Sequence, residues 1–164
     1  LEVFCMPKPM LTASAMFANA ARFADAYHTA IAPLCASTGL PPAAADILLF
    51  LANNPGCETA GEICRMRGMK PALVSFHIDR LVGEGYLLRQ PVPGDRRKTA
   101  LVLTAQAQPI VAEGRELQRA FADRLAEGLS AEDLAHFRRC VAIFDRNIEQ
   151  IRAEKSKRTE IQNP

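Results

Sequence analysis

The sequence predicts a mainly α-helical protein with one small β-hairpin, arranged as a winged helix-turn-helix between N-terminal and C-terminal helices. Three observations predict this class. Two short helical segments are joined by the turn 68–70, which contains a glycine. Two segments rich in branched and aromatic residues follow directly and predict a hairpin. Apolar residues recur at three-and-four spacing near both ends of the chain, which indicates helices with one buried face.

Length and composition are those of an ordinary globular protein. The 164 residues favour a single domain, 1–164. The sequence shows neither an uninterrupted membrane-length apolar run nor a signal-peptide pattern, so we expect a cytoplasmic protein with no membrane partner. Five cysteines without paired spacing argue against a disulfide framework. The net charge is only +2, but residues 59–98 contain eight cations and four anions, so the basic surface is local.

The first two helices are predicted from their apolar faces and their end signals. The first carries one stripe and stops at Thr38-Gly39; the stripe comprises Phe17, Ala20, Ala24, Tyr27, Ile31 and Leu34. The second begins with Pro41-Pro42 and breaks at residues 53–56. Its spacing places four apolar residues on one face, namely Ala44, Ile47, Leu48 and Leu51. We therefore expect both helices to be amphipathic.

The next two helices form the helix-turn-helix. Thr59 and Glu62 fit a capping box, which starts a short helix that ends at Gly68. Pro71 then opens a helix that ends at Gly85. Its inward residues are predicted to be Val74, Ile78 and Leu81. The second helix of such a motif is the one that reads DNA in helix-turn-helix proteins.

The hairpin and the last two helices complete the chain. Residues 86–92 and 99–103 predict strands, and residues 93–98 form the turn between them. Thr104 is the expected N-cap of a helix that ends at Gly128, and Ser130 with Asp133 gives a second capping signal. The last helix carries a heptad stripe of Leu134, Phe137, Val141, Phe144, Ile148 and Ile151. A single small chain offers these stripes few partners besides each other and a second copy, so we expect a homodimer.

The charged hairpin tip has a direct interpretation in this arrangement. In a winged helix, the second helix of the motif lies in the major groove and the hairpin reaches the flanking minor groove, where arginine is favoured. Asp95 and Arg97 are two residues apart and can project to one side of an extended turn. The carboxylate can then hold the guanidinium in a fixed orientation before DNA arrives.

At residues 73–104, "LVSFHIDRLVGEGYLLRQPVPGDRRKTALVLT", the sequence resembles the MarR (multiple antibiotic resistance regulator) family of dimeric winged-helix transcription factors. The segment follows that family's recognition helix, first wing strand, Asp-x-Arg motif and closing strand, and the helix order extends the resemblance from about Thr12 onward. The resemblance implies a homodimer that binds a pseudo-palindromic operator in duplex DNA, usually as a repressor released by a small molecule or by oxidation. It also implies dimerisation helices at 12–37 and 105–158 around a DNA-binding lobe at 41–104.

The resemblance also assigns roles to individual residues. Arg97 is expected in the minor groove with Asp95 orienting it, and Ser75 lies where members often have Ser or Thr facing DNA. Two positions depart from the family, because Phe76 stands where many members carry Arg, and Pro71 where Ser or Thr is frequent. An exposed Phe76 would suit a thymine methyl group, and the alternative is that it packs inward. The predicted DNA-contacting set is Lys70, Pro71, Ala72, Ser75, Phe76, His77, Asp95, Arg96, Arg97 and Lys98.

Asp79 and Arg80 allow two interpretations, either a surface ion pair or a phosphate anchor.

The resemblance implies an aromatic or phenolic small-molecule effector between the dimerisation helices and the DNA-binding lobe. Helix position marks Tyr27, His28 and Phe50 as candidates for that site.

Cysteines, metals and catalysis receive little support from the sequence. Cys35 lies eight residues from Tyr27, about 12 Å along a helix, so we expect a small buried thiol rather than an oxidation sensor. We find no zinc-ligand spacing, phosphate-binding loop or nucleophile elbow, and we expect no enzyme, metal or cofactor. Two alternatives remain at this point: a winged-helix protein-interaction module, and the dimerisation domain of a truncated enzyme.

Overall fold

The computed structural model describes residues 12–92 and 94–161, and the side chains of Arg96, Arg97 and 155–161 lie outside that description. The predicted order of elements and the fold class are confirmed. The elements are α1 (Ala13–Thr38), α2 (Pro42–Asn53), α3 (Ala60–Arg67), α4 (Pro71–Gly83), β1 (Leu87–Val92), β2 (Asp95–Leu103), a 3-10 turn (Ala105–Ala107), α5 (Gln108–Leu125) and α6 (Ala131–Ile161). They form two compact units, the first extending to Phe121 and the second beginning at Ala122.

Side-chain caps fix the starts of α3 and α6, as predicted. The Thr59 hydroxyl accepts from the Glu62 amide at 3.3 Å, and Glu62 Oε2 accepts from the Thr59 amide at 2.9 Å. The hydrogen bonds from Thr59 hold the pKa of Glu62 below its ordinary value. Ser130 and Asp133 make the same reciprocal contacts at the start of α6. Both boxes satisfy amides that have no partner inside the helix.

Helix α2 is buried on every side, which corrects the prediction of a single apolar face. All residues from Ala44 to Leu51 are buried. The run is almost wholly apolar, so periodicity could not show that several neighbouring elements cover it. Helix α2 is the centre of the first unit, whose core also includes Leu34, Ile63, Val74, Leu81 and Leu87.

Helix α5 approaches α2 closely at Gly114. A Cβ atom on Gly114 would lie 2.5 Å from Leu49 Cδ2 and 3.1 Å from Leu34 Cδ2. Both leucines are fully buried, so neither has free space to move into. Glycine therefore permits the close packing of α5 on the core at this point.

The hairpin differs from its prediction because β2 begins at Asp95, so the three cations belong to the strand and not to a free turn. The antiparallel register runs from Leu87 opposite Leu103 to Pro91 opposite Thr99, and then shifts so that Val92 lies opposite Asp95. Residues 96–98 therefore occupy a bulge. The strand is also held on its other side, where the Leu101 amide donates to the Glu58 carbonyl at 2.8 Å.

Thr104 does not cap α5, so that prediction is wrong. Its hydroxyl donates to the Gly85 carbonyl at 2.8 Å and makes no cap hydrogen bond to the following turn. The hydroxyl also lies 3.3 Å from the Tyr86 carbonyl, so it is turned towards the end of α4. Thr104 thus closes the base of the hairpin against the end of α4.

Helix α6 shows its apolar stripe to solvent in the single chain. Among residues of α6 with described side chains, none is buried, and Phe137 is 63% and Ile151 67% exposed.

Within the described residues, no single helix is long and apolar enough to cross a membrane. Helices α1 and α2 meet that criterion only as a pair, and they are bent by 101° at the break between them.

Candidate nucleic-acid interface

Helix α4 has one buried and one exposed side. Val74, Ile78 and Leu81 are buried as predicted and fix the helix on the core. The opposite side is exposed from the N-cap onward, at Lys70, Pro71, Ala72, Leu73, Ser75, Phe76 and Asp79. Of the predicted contact residues on this helix, all but one are therefore accessible to a partner.

The exception is His77, which is only 5% exposed, so the expectation that it contacts bases or phosphates is wrong. It lies three residues after Val74 and one before Ile78, and thus extends the buried stripe. Its Nδ1 atom is buried and has no hydrogen-bond partner among the described residues. Burial, assisted by the nearby Arg80 charge, lowers the pKa of His77 from its ordinary value of 6.5. The His77 imidazole is therefore uncharged at neutral pH.

An ion pair joins α4 to the hairpin. Arg89 Nη2 of β1 donates to Asp79 Oδ1 of α4 at 2.5 Å. Arg80 instead donates to Glu84 Oε1 at 2.7 Å and to the Gly39 carbonyl at 3.2 Å. Asp79 and Arg80 are therefore not a surface pair with each other. Asp79 ties the recognition helix to the hairpin, and Arg80 ties it to the end of α1.

At the hairpin tip, the structure describes an ion pair that was not predicted from the sequence. Lys98 Nζ lies 3.6 Å from Asp95 Oδ2, and the Lys98 side chain is 65% exposed. The backbones of Arg96 and Arg97 lie in β2, but their side chains lie outside the described residues. The orientation of Arg97 by Asp95 therefore stays a prediction.

A second site lies among α1, α2, α3 and α4, in a cavity of about 620 Å³. Two of the predicted effector residues, Tyr27 and His28, line it. Phe50 does not line it; this side chain is 5% exposed and belongs to the core. The other lining residues include Phe23, Ala43, Met69 and Leu73. Because Leu73 belongs to α4, the cavity extends to that helix.

Polar contacts form a chain along the wall of this cavity. Arg67 donates to Asp46 through Nε, at 2.9 Å, and through Nη2. The Tyr27 hydroxyl donates to Asp46 Oδ1 at 3.3 Å and accepts from Gln118 Nε2 at 2.7 Å. Burial raises the pKa of Tyr27 above its ordinary value of 10.0, so the phenol stays protonated near neutrality. The chain connects α3, α2, α1 and α5.

Asp46, Arg67 and Gln118 were not predicted from the sequence. One signal was available for Asp46, since a single carboxylate within an apolar helix needs a partner when it is buried. The identity of that partner was not readable, because Arg67 is 21 residues away and depends on how α3 packs on α2.

The cysteines and candidate metal ligands do not form a site in the described residues. Cys35 is half-buried, and burial raises the pKa of its thiol, which disfavours the reactive thiolate. Across 12–92 and 94–161, no three His, Cys, Asp or Glu side chains are grouped so that they could hold a metal ion.

An exposed second helix of a helix-turn-helix, joined to a hairpin whose tip sequence is basic, forms a winged helix-turn-helix, an arrangement that binds DNA in other proteins. Comparisons with known proteins agree. Residues 38–98 match the model of the MarR family. An HTH-type transcriptional regulator, YcgE, of Bacillus subtilis (strain 168) is 40% identical over 67 residues, which span 40% of this chain and 41% of that protein.

Solved structures extend the similarity to most of the chain. A MarR transcriptional regulator from Methanosarcina mazei Go1 has the same fold, with a TM-score of 0.70 at 16% identity over 84% of this chain and 99% of that one. The transcriptional repressor CouR, bound to a 23-mer DNA duplex, has a TM-score of 0.62 at 25% identity over 85% of this chain and 99% of that one. The matched segment, 38–98, is thus similar to regulators of the MarR family, and the fold over most of the chain is that of solved structures of such regulators.

Proposed function

We propose that this chain regulates transcription by binding duplex DNA through the exposed side of α4 and the hairpin. The observation that carries the proposal is the contact between these two elements. Arg89 and Asp79 couple the hairpin to α4, and exposed cations lie at the N-cap of α4, Lys70, and on β2, Lys98. Phosphate contacts from such cations supply affinity, and base contacts from α4 supply selectivity. The DNA-bound state of CouR supports the same use of this fold.

The functional form is a homodimer on a pseudo-palindromic operator. Apolar side chains that a small monomer would bury are exposed in α1 and α6, among them Phe17 at 78% and Phe144 at 41%. A two-fold dimer carries two recognition helices, which reach successive major grooves about 34 Å apart. The operator then repeats the same half-site in inverted orientation.

The regulator acts as a repressor and responds to an aromatic or phenolic small molecule in the 620 Å³ cavity. Phe23, Tyr27 and His28 offer ring surfaces to such a ligand, and Arg67 offers a guanidinium. The cavity also contacts Met69 and Leu73, which lie directly before and within the first turn of α4. A ligand that favours another position of α4 lowers the affinity for DNA by that difference in binding energy.

The experiment begins with selection of duplexes from a randomised library, followed by anisotropy titrations at several salt concentrations. Lys98→Ala is expected to reduce the slope of log K against log salt by about 0.9 per lost phosphate contact, about 1.8 per dimer. Arg97→Ala should lower both the affinity and the slope, because it removes a cation from the minor groove. Arg119→Ala is the matched control, because it removes an exposed cation of α5 that pairs with Glu116. Equal slopes for the wild type, Lys98→Ala and Arg97→Ala would show that the hairpin does not bind DNA.

The effector is tested in the same assay with a panel of phenols and aromatic carboxylates. At least one compound is expected to release the selected duplex from the wild type. Ala43→Phe fills the cavity, since Ala43 lines it, and should bind the duplex but resist release. Release of Ala43→Phe at wild-type ligand concentration would place the effector elsewhere.

A further inference from the structure

Phe76 is the most exposed large apolar side chain on α4. It is 63% exposed, and Leu73, one turn earlier, is 44% exposed. Exposure of a phenylalanine ring to water is unfavourable. The opposite side of the same helix is already buried, through Val74, Ile78 and Leu81. The helix therefore has a complete core-facing side without Phe76. Its ring is available for a partner.

The Phe76 ring is supported on one side. It packs edge-to-face against His77, with ring centroids 5.2 Å apart and planes at 73°. His77 is 5% exposed and belongs to the buried side of α4, so it cannot move away freely. Such a contact limits the rotamers of Phe76 before binding, and less entropy is lost when a partner covers the ring.

The chemistry of the ring restricts that partner. Phenylalanine has no hydrogen-bond donor, so it cannot pair with phosphate oxygens or with the acceptor atoms of guanine. In the major groove, the apolar group offered by an unmodified base pair is the C5-methyl of thymine. The neighbours on the exposed side are Ala72 and Leu73, which are also apolar, while Lys70 and Ser75 supply polar contacts beside them.

We infer that Phe76 recognises a thymine methyl group in each half-site of the bound DNA, and that it is a specificity-determining residue. The inference rests on the proposed function, because it requires α4 to enter the major groove. The cations on and beside α4 favour DNA over an apolar protein partner. Lys70 is the N-cap residue of α4, and Arg89 of β1 forms an ion pair with Asp79 of α4. The preferred half-site therefore contains a T·A pair opposite Phe76.

The test replaces thymines of the selected duplex one position at a time, in both half-sites, by deoxyuridine. Deoxyuridine keeps every hydrogen bond of thymine and lacks only the methyl group. The wild type is expected to lose about fourfold in affinity per half-site at one position, about 15-fold for the symmetric duplex. Phe76→Ala should bind thymine and deoxyuridine duplexes equally at that position, while Phe76→Leu keeps part of the preference.

Two results overturn the inference in distinguishable ways. If no duplex is enriched above a scrambled control, the proposed function fails and the inference falls with it. If duplexes bind tightly but Phe76→Ala keeps the wild-type ratio of thymine to deoxyuridine affinity at every position, only the role of Phe76 is wrong. The ratio is measured within each variant, so a loss of folded protein cancels. Phe76→Leu gives the same comparison if Phe76→Ala does not fold.

Discussion

Helices α2 and α6 have similar apolar side chains and opposite surroundings. Every residue of α2 from Ala44 to Leu51 is buried by its own chain. Helix α6 is more than twice as long, yet Phe137, Phe144 and Ile148 are at least 41% exposed. Apolar content alone therefore does not determine burial. The arrangement of the apolar residues does: α2 is apolar all round and forms a core, while α6 carries a narrow heptad stripe that suits a second helix of another molecule.

We expect the largest effect from a substitution that disrupts the dimer interface predicted for α6. Phe144→Glu replaces an exposed ring of the stripe by a charge. Because each residue of a two-fold interface occurs twice, we expect the dimer dissociation constant to rise about 1,000-fold, from about 2 kcal/mol per lost ring. Sedimentation equilibrium measures this constant. Binding to the selected duplex should weaken in parallel.

Ala142→Glu is the matched control for the dimer. Ala142 lies two residues from Phe144, on the side of α6 away from the stripe, and the same charge there should leave the dissociation constant within about threefold. If Phe144→Glu remains dimeric at micromolar concentration, the apolar stripe of α6 is not the dimer interface, and the difference drawn between α2 and α6 is wrong. Circular dichroism checks that α6 is still helical.

The second effect concerns the one carboxylate in the buried part of α2. Asp46→Ala removes the partner of Arg67 and the acceptor of the Tyr27 hydroxyl. We expect a loss of about 2 kcal/mol in the free energy of unfolding. This is less than for a fully buried ion pair, because the Arg67 side chain is 36% exposed. Urea unfolding at fixed protein concentration measures it.

Asp79→Ala provides the comparison within the same protein. This substitution also removes the aspartate of an Asp–Arg ion pair, but the Asp79 side chain is 68% exposed and its partner Arg89 remains in solvent. We expect a change below about 1 kcal/mol. If the two variants lose equal stability, the burial of α2 does not strengthen its polar contacts.

Most of the fold was predictable because local signals determine where its helices begin and end. The capping boxes at Thr59 and Ser130 and the left-handed glycine at Gly68 are each set by nearby residues. Thr104 was misjudged because its hydroxyl bonds to Gly85, a long-range choice that only the folded chain offers. The burial of α2 on all sides was invisible for the same reason, since an apolar run has no periodicity to interpret.

The candidate site was predictable to a lesser degree. Exposure of Ser75 and Lys98 follows from their places on the helix and the hairpin. His77 was assigned to the wrong side because its polar side chain suggested DNA contact, although its position between Val74 and Ile78 already pointed inward. The Asp46–Arg67 pair needed tertiary structure, as its partners lie on different helices.

The smallest effect tests the burial of His77 by pH. Its pKa is lowered in the folded state, so between the folded pKa and the ordinary value of 6.5 the unfolded chain binds a proton that the folded chain does not. The free energy of unfolding should therefore fall as pH drops below about 6.5, and it should level off only below the folded pKa. Urea unfolding at pH 7.5 and pH 5.5 measures the difference for the wild type.

His77→Leu should reduce this pH dependence, because leucine fills the buried position without titrating and leaves no unpaired Nδ1. His136→Ala is the control for the removal of an imidazole, since His136 is exposed on α6. If His77→Leu shows the same fall in stability between the two pH values, the acid sensitivity comes from other groups. Because the His77 ring contacts Phe76, a fall in duplex affinity over the same pH range, absent in His77→Leu, would connect the buried side of α4 to the side proposed to bind DNA.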